Sequence, residues 1–156
     1  MLTLWTAVSG ETDPVCETTR SQMVPTSRCA RILLVEDDDE MRHLLAAALR
    51  RDGHEIVEAS DGTEAVGYLY PLVFHGSAAA PPDLIITDIR MPGWTGIRIL
   101  EMVRGGRVPT PVILITAFGA AETHAEARRL GAAAVFDKPF DVDELRAAVL
   151  KIAPPR

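Results

Sequence analysis

Leu84-Ile85-Ile86-Thr87-Asp88 is an unbroken apolar, β-branched run that ends abruptly in a carboxylate. Continuous hydrophobicity over so few residues fits a strand covered on both faces, as in a parallel sheet flanked by helices. Two other runs have the same character. Ile32-Leu33-Leu34-Val35 stops at Glu36-Asp37-Asp38-Asp39-Glu40, and Val112-Ile113-Leu114-Ile115 stops at Thr116.

Between these runs the apolar period changes to that of helices. Met41, Leu44, Leu45, Ala48 and Leu49 repeat at helical spacing until Asp52-Gly53 ends them. Val66, Leu69, Tyr70 and Val73 form one face of a second helix, and Ile97, Leu100 and Val103 of a third closed by Gly105-Gly106. A short Ala-rich helix is predicted over residues 120–130. The last helix opens with Asp141 and Glu144 at the spacing of a capping box and buries Val142, Leu145, Val149 and Ile152. Residues 55–59 and 132–136 supply two weaker strands, one carrying Glu55 and Glu58, the other mostly Ala. Gly62 and Gly131 are read as turn glycines, and a Gly/Ser/Pro-containing loop covers residues 75–82.

The result is (βα)₅, an α/β chain with a five-stranded parallel sheet and helices on both faces. Weak strands belong at sheet edges. That favours the order 2-1-3-4-5 of the flavodoxin-like doubly wound fold. Residues 1–29, rich in Thr, Ser and Pro without a hydrophobic period, are expected to be a disordered extension, with Met23 an alternative start. Residues 30–154 form the expected domain.

Composition narrows the function. The net charge of −6 argues against a nucleic-acid surface, which needs clustered Lys and Arg. No apolar run approaches the ~20 residues of a membrane span, and the N-terminus lacks the basic start of a signal peptide. Only two cysteines occur, Cys16 and Cys29, so a reducing cytoplasm is expected. The four histidines are scattered without ligand spacing and are read as surface or helix residues.

Ligands in open α/β sheets bind beyond the carboxyl ends of the strands, near the switch in strand order. There the first strand delivers Glu36 and Asp37, the third Asp88, the fourth Thr116 and the fifth Lys138. At about 4 Å and an effective dielectric near ~20, each pair of like charges costs roughly 4 kcal/mol, so the three carboxylates call for a cation. An all-oxygen set suits Mg²⁺, with Mn²⁺ as a substitute. With that charge neutralised, Asp88 can act as a nucleophile toward a phosphoryl donor. Lys138 is one of only two lysines beside 14 arginines, and a compact ammonium suits a phosphoryl oxygen. Asp38, Asp39 and Glu40 read instead as an acidic helix start favoured by the helix dipole.

Four fragments together resemble the response-regulator receiver family of two-component signalling: Val35-Glu36-Asp37-Asp38, Thr87-Asp88-Ile89-Arg90-Met91-Pro92-Gly93, Leu114-Ile115-Thr116-Ala117 and Asp137-Lys138-Pro139-Phe140. The likeness covers residues 31–152. It implies that Asp88 is the phosphoacceptor. Asp37 and Asp88 would ligate Mg²⁺ directly, Glu36 through water and Arg90 through its backbone carbonyl. Thr116 and the Ala117 N–H would hydrogen-bond the phosphoryl group, Lys138 would pair with it, and Lys138–Pro139 would be cis. A sensor histidine kinase or histidine phosphotransfer protein would be the donor. A downstream protein would read the face of the fourth helix, fifth strand and fifth helix. The chain would be a phosphoacceptor signalling domain and not an enzyme acting on other substrates.

Two departures from the family pattern stand out. The position three residues before Lys138, commonly aromatic, is Val135, and Phe136 is expected to face the other way. Gly131-Ala132-Ala133-Ala134 replaces a charged stretch used for pairing, so that mode of dimer is not expected. The fourth helix has few large apolar anchors and is expected to dock softly and to be the two-state element. A stand-alone receiver is expected, since the chain closes on Ala153-Pro154-Pro155-Arg156. The alternatives are a receiver fragment of a hybrid kinase or larger regulator, a phosphorylation-independent adaptor, and a haloacid-dehalogenase-like phosphohydrolase. The last would need a second Asp two residues after the nucleophile, on the first strand, where this chain has Arg90 after the third.

Overall fold

The computed structural model describes residues 29–154; the expectation for the N-terminal extension lies outside these residues except at Cys29. Five strands and five helices alternate: β1 (Arg31–Val35), α1 (Asp39–Arg51), β2 (Glu55–Ala59), α2 (Gly62–Phe74), β3 (Leu84–Asp88), α3 (Gly96–Gly105), β4 (Val112–Thr116), α4 (Ala121–Arg129), β5 (Ala134–Asp137) and α5 (Val142–Ile152). All pairings are parallel, in the order β2-β1-β3-β4-β5. The doubly wound expectation therefore holds, with the two weak strands at the edges. No helix among the described residues is long and apolar enough to cross a membrane.

Strand alternation sends side chains into two cores. Leu33, Val35, Ile85 and Leu114 meet Leu69 of α2, Ile99, Leu100 and Val103 of α3 and Ala127 of α4. Ile32, Leu34, Ile86, Ile113 and Ile115 meet Leu45 and Leu49 of α1 and Leu145 and Val149 of α5. Every residue of β3 and β4 is buried, which is why their sequences carry no polar alternation.

Helix starts are set by short polar side chains. Asp38, Asp61, Thr95 and Asp141 accept from the backbone N–H of Met41, Glu64, Arg98 and Asp143, as N-caps do. Asp141 thus caps as expected, through the second N–H of the helix instead of the third. Helix α4 differs: Ala120 makes no side-chain cap, and Ala127 is its only buried residue. Its cap Leu130 packs partly buried against the same core.

Several expectations are corrected. Leu44 and Tyr70 are exposed, at 54% and 48%, while Ala46 and Ala65 take the inward positions. A helix of 3.6 residues per turn lets neighbouring positions compete for one face, and the small alanines win where the helix lies close to the sheet. Strand β5 begins at Ala134, not 132, because Gly131 (φ 81°) and Ala132 still turn the chain out of α4. Gly62 is no turn glycine. It opens α2, where a Cβ would lie 1.9 Å from the Trp94 carbonyl oxygen.

His54 is also corrected: it is 5% exposed, and neither ring nitrogen has a hydrogen-bond partner among the described residues. Burial pushes its pKa below the ordinary value, with the nearby Asp52 charge pulling weakly the other way. The unfolded chain therefore binds this proton more readily than the folded one. Stability from neutral His54 is complete above the unfolded value of ~6.5 and is lost as pH falls through the lower folded value. Urea titrations at a series of pH values should show the wild type weakening below about pH 6.5. His54→Leu should remove that component, and equal slopes for the two chains would count against it.

Candidate functional site

The C-terminal edge of the sheet gathers the predicted residues as the topology requires. Strand β3 ends in Asp88, 4% exposed, beside β1, whose next residues are Glu36 (1% exposed) and the exposed Asp37. Carboxylate oxygens of Glu36, Asp37 and Asp88 lie within 4.8 Å of one another. Lys138, following β5, puts its ammonium 2.6 Å from Asp88 Oδ2 and 2.9 Å from Glu36 Oε2. Its bond to Pro139 is cis, as the resemblance implied.

Each carboxylate is oriented by further bonds. The Asp38 N–H donates to Glu36 Oε1 at 3.1 Å, and the Arg90 N–H to Asp88 Oδ1 at 2.8 Å. The start of α3 packs on the Asp88 backbone so closely that a Cβ at Gly96 would lie 2.4 Å from the Asp88 carbonyl oxygen. Burial pushes the Glu36 carboxyl above its ordinary value, against the opposing pull of Lys138. Burial also opposes the Lys138 charge, but its bonds to Asp88 and Glu36 outweigh that and raise its pKa.

Thr116 ends β4 fully buried, and its hydroxyl accepts from the Phe118 N–H at 3.2 Å. The Lys138 N–H donates to the Thr116 carbonyl at 2.7 Å, so hydroxyl and ammonium rise from adjoining strand ends. Ala117 follows at the exposed start of the β4–α4 loop. Arg90 lies two residues beyond Asp88, its guanidinium 4.8 Å from the centre of the Phe118 ring. Asp38, Asp39 and Glu40 do form the cap and first turn of α1. Trp94, in the loop before α3, lies against Gly62 through its backbone and carries the Arg98 guanidinium 4.6 Å from its ring centre.

Two features escaped the sequence reading. His124 of α4 meets Asp137 at 2.9 Å, one residue before Lys138. Arg42 of α1 bonds the Glu36 carbonyl at 2.8 Å. Helical periodicity marks which face a residue occupies but not which loop its side chain will reach.

A sequence model of the response regulator receiver domain matches residues 32–150. The chain belongs to that family. This receiver is 34% identical over 124 residues to sporulation initiation phosphotransferase F of Bacillus subtilis, covering 80% of this chain and 94% of that one. It is 41% identical over 119 residues to the regulatory protein AtoC of Escherichia coli, covering 76% of this chain but only 24% of AtoC. Among solved structures, the receiver domain of Francisella response regulator 1452 superposes with a TM-score of 0.69 at 28% identity, covering 79% of this chain and 95% of that one. The chemotaxis response regulator CheY4 of Vibrio cholerae gives 0.67 at 28%, covering 80% and 98%. The chain is thus a two-component receiver, a signalling module of a family that generally binds Mg²⁺ and works with histidine kinases or phosphotransfer proteins.

Lys138 is the cation that balances Glu36 and Asp88 in this structure. Lys138→Met should lower stability by roughly 3 kcal/mol at neutral pH without divalent cations, the low end for a broken buried pair because a fifth of the Lys138 side chain is exposed. Urea denaturation measures this, and unchanged stability would show that Lys138 does not balance the carboxylates.

Proposed function

We propose that Asp88 accepts a phosphoryl group from a phosphohistidine on a sensor histidine kinase or histidine phosphotransfer protein. The observation that carries this is the Asp88 carboxylate itself, buried at the sheet edge with an ammonium 2.6 Å away. In the transfer an Asp88 oxygen bonds to phosphorus as the P–N bond breaks, and the electron pair leaves with the imidazole. Lys138 turns from the carboxylate to a phosphoryl oxygen. The Thr116 hydroxyl and the Ala117 N–H donate to the others.

The acidic set fits a hard divalent cation, since it offers only oxygen. Glu36, Asp37, Asp88 and the Arg90 carbonyl would hold Mg²⁺, and Mn²⁺ would serve in its place. When bound, the ion supplies positive charge against the phosphoryl oxygens. The reaction is self-directed: the domain is phosphorylated and dephosphorylated but turns over no separate substrate. Residues 30–154 would form the receiver unit.

Output runs through the face of α4, β5 and α5. Strand β5 sends Val135 toward the α2–α3 side and Phe136 toward the α1–α5 side, where its ring packs against Phe140 at 5.8 Å. No aromatic side chain of β5 is therefore placed beneath α4. A helix whose one fully buried residue is an alanine, helped by its partly buried cap Leu130 and the His124–Asp137 bond, is the element easiest to shift when charge is added at Asp88. The net charge of −6 supports a protein partner over nucleic acid or a membrane surface, and the sparse cysteines support a reducing cytoplasm.

Incubation with a radiolabelled phosphohistidine donor and Mg²⁺ should label the wild type, and Asp88→Asn should abolish that label. Undiminished labelling of the variant would overturn the assignment.

A further inference from the structure

We infer that Arg42 is a positioning residue that shapes the β1–α1 turn so that Glu36 and Asp37 face the cation; this rests on reading the acidic set as the Mg²⁺ site. Arg42 lies in the first turns of α1, where its side chain is only 11% exposed. Its guanidinium reaches three elements. One nitrogen donates to the main-chain carbonyl of Glu36 at 2.8 Å, a second to Asp39 of α1, and the third lies 3.5 Å from Glu58 of β2. Glu58 is in turn bound by Arg50 at 2.7 Å, which fixes the anchor on the β2 side.

Glu36 is consequently held at three points. Arg42 takes its carbonyl oxygen, the Asp38 N–H its Oε1, and the Lys138 ammonium its Oε2. Asp37 stands between Glu36 and the α1 cap Asp38, with an exposed side chain. Its placement therefore follows from the backbone on either side, and Arg42 ties down the N-terminal half of that backbone. A planar fork with five N–H donors can serve three acceptors lying in different directions, whereas an ammonium on a flexible stem cannot hold them in one plane.

Charge and position make opposite predictions here. Arg42 carries a positive charge close to a cation site, so if it acted only by charge its removal would tighten Mg²⁺ binding. If it acts by position, removal loosens the turn and weakens binding, and the loss of an outer partner of this kind typically costs roughly ten- to a hundredfold in metal affinity.

Calorimetric titration of Mg²⁺ into the full chain separates the two, with urea denaturation run in parallel to report folding. Arg42→Met should raise the Mg²⁺ Kd about tenfold or more. Arg42→Lys, which keeps the charge and loses the fork, should raise it comparably. Should Arg42→Met fail to fold, Arg42→Lys and Glu58→Gln carry the test, the second loosening the guanidinium from its β2 anchor and weakening Mg²⁺ several-fold. Lower stability with an unchanged or tighter Kd in these variants overturns the inference and leaves the metal site standing. A wild-type chain that takes up no Mg²⁺ overturns both.

Discussion

The ammonium of Lys138, bonded to Asp88 at 2.6 Å and to Glu36 at 2.9 Å, is the contact around which the C-terminal edge of the sheet is organised. Strand order explains why a lysine is needed. Strands β1 and β3 are neighbours, so their terminal carboxylates are forced together, but β5 lies beyond β4. Only a long side chain can cross the end of β4 from the position after Asp137. The ammonium thereby joins residues 102 positions apart and offsets a repulsion of roughly 4 kcal/mol per close carboxylate pair. Acid, hydroxyl and base all sit at strand ends because parallel winding delivers every strand to one edge.

Most of this was legible in the sequence because the signals were local. Three unbroken apolar runs mark the central strands, and the charged or hydroxyl residue closing each run, Glu36, Asp88 or Thr116, marks the functional edge. The edge strands were identifiable by their weakness. What stayed hidden depends on contacts between elements distant along the chain. His54 gives no sign of burial, since the chain that covers it is assembled from other elements. Tyr70 and Leu44 occupy apolar positions at helical spacing, yet the backbone lies close enough to the sheet that Ala65 and Ala46 face inward instead. Gly62 resembles a turn glycine until the Trp94 carbonyl is seen against it.

The site was legible to the same extent. Glu36, Asp37, Asp88, Thr116 and Lys138 could be placed because each ends a strand or follows its last residue by one or two positions. Arg42 and His124 could not, because each reaches from a helix to a loop or strand whose approach only the fold defines. These two side chains divide the surroundings of the site between them. Arg42 ties the β1–α1 turn to β2, on the side of the carboxylates. His124 ties α4 to the end of β5, on the side of the proposed output face. Between them lies Asp88, braced by the start of α3 and the Arg90 N–H.

Asp88 as the phosphorylated atom's owner is the central claim, and chemical trapping reads it directly. Borohydride reduces an aspartyl phosphate to homoserine, leaving a mass change that peptide sequencing can locate. After phosphorylation of the full chain by a histidine phosphodonor, the conversion is expected at Asp88 alone. Conversion at Glu36, Asp37 or any other carboxylate with Asp88 intact would contradict the proposed chemistry.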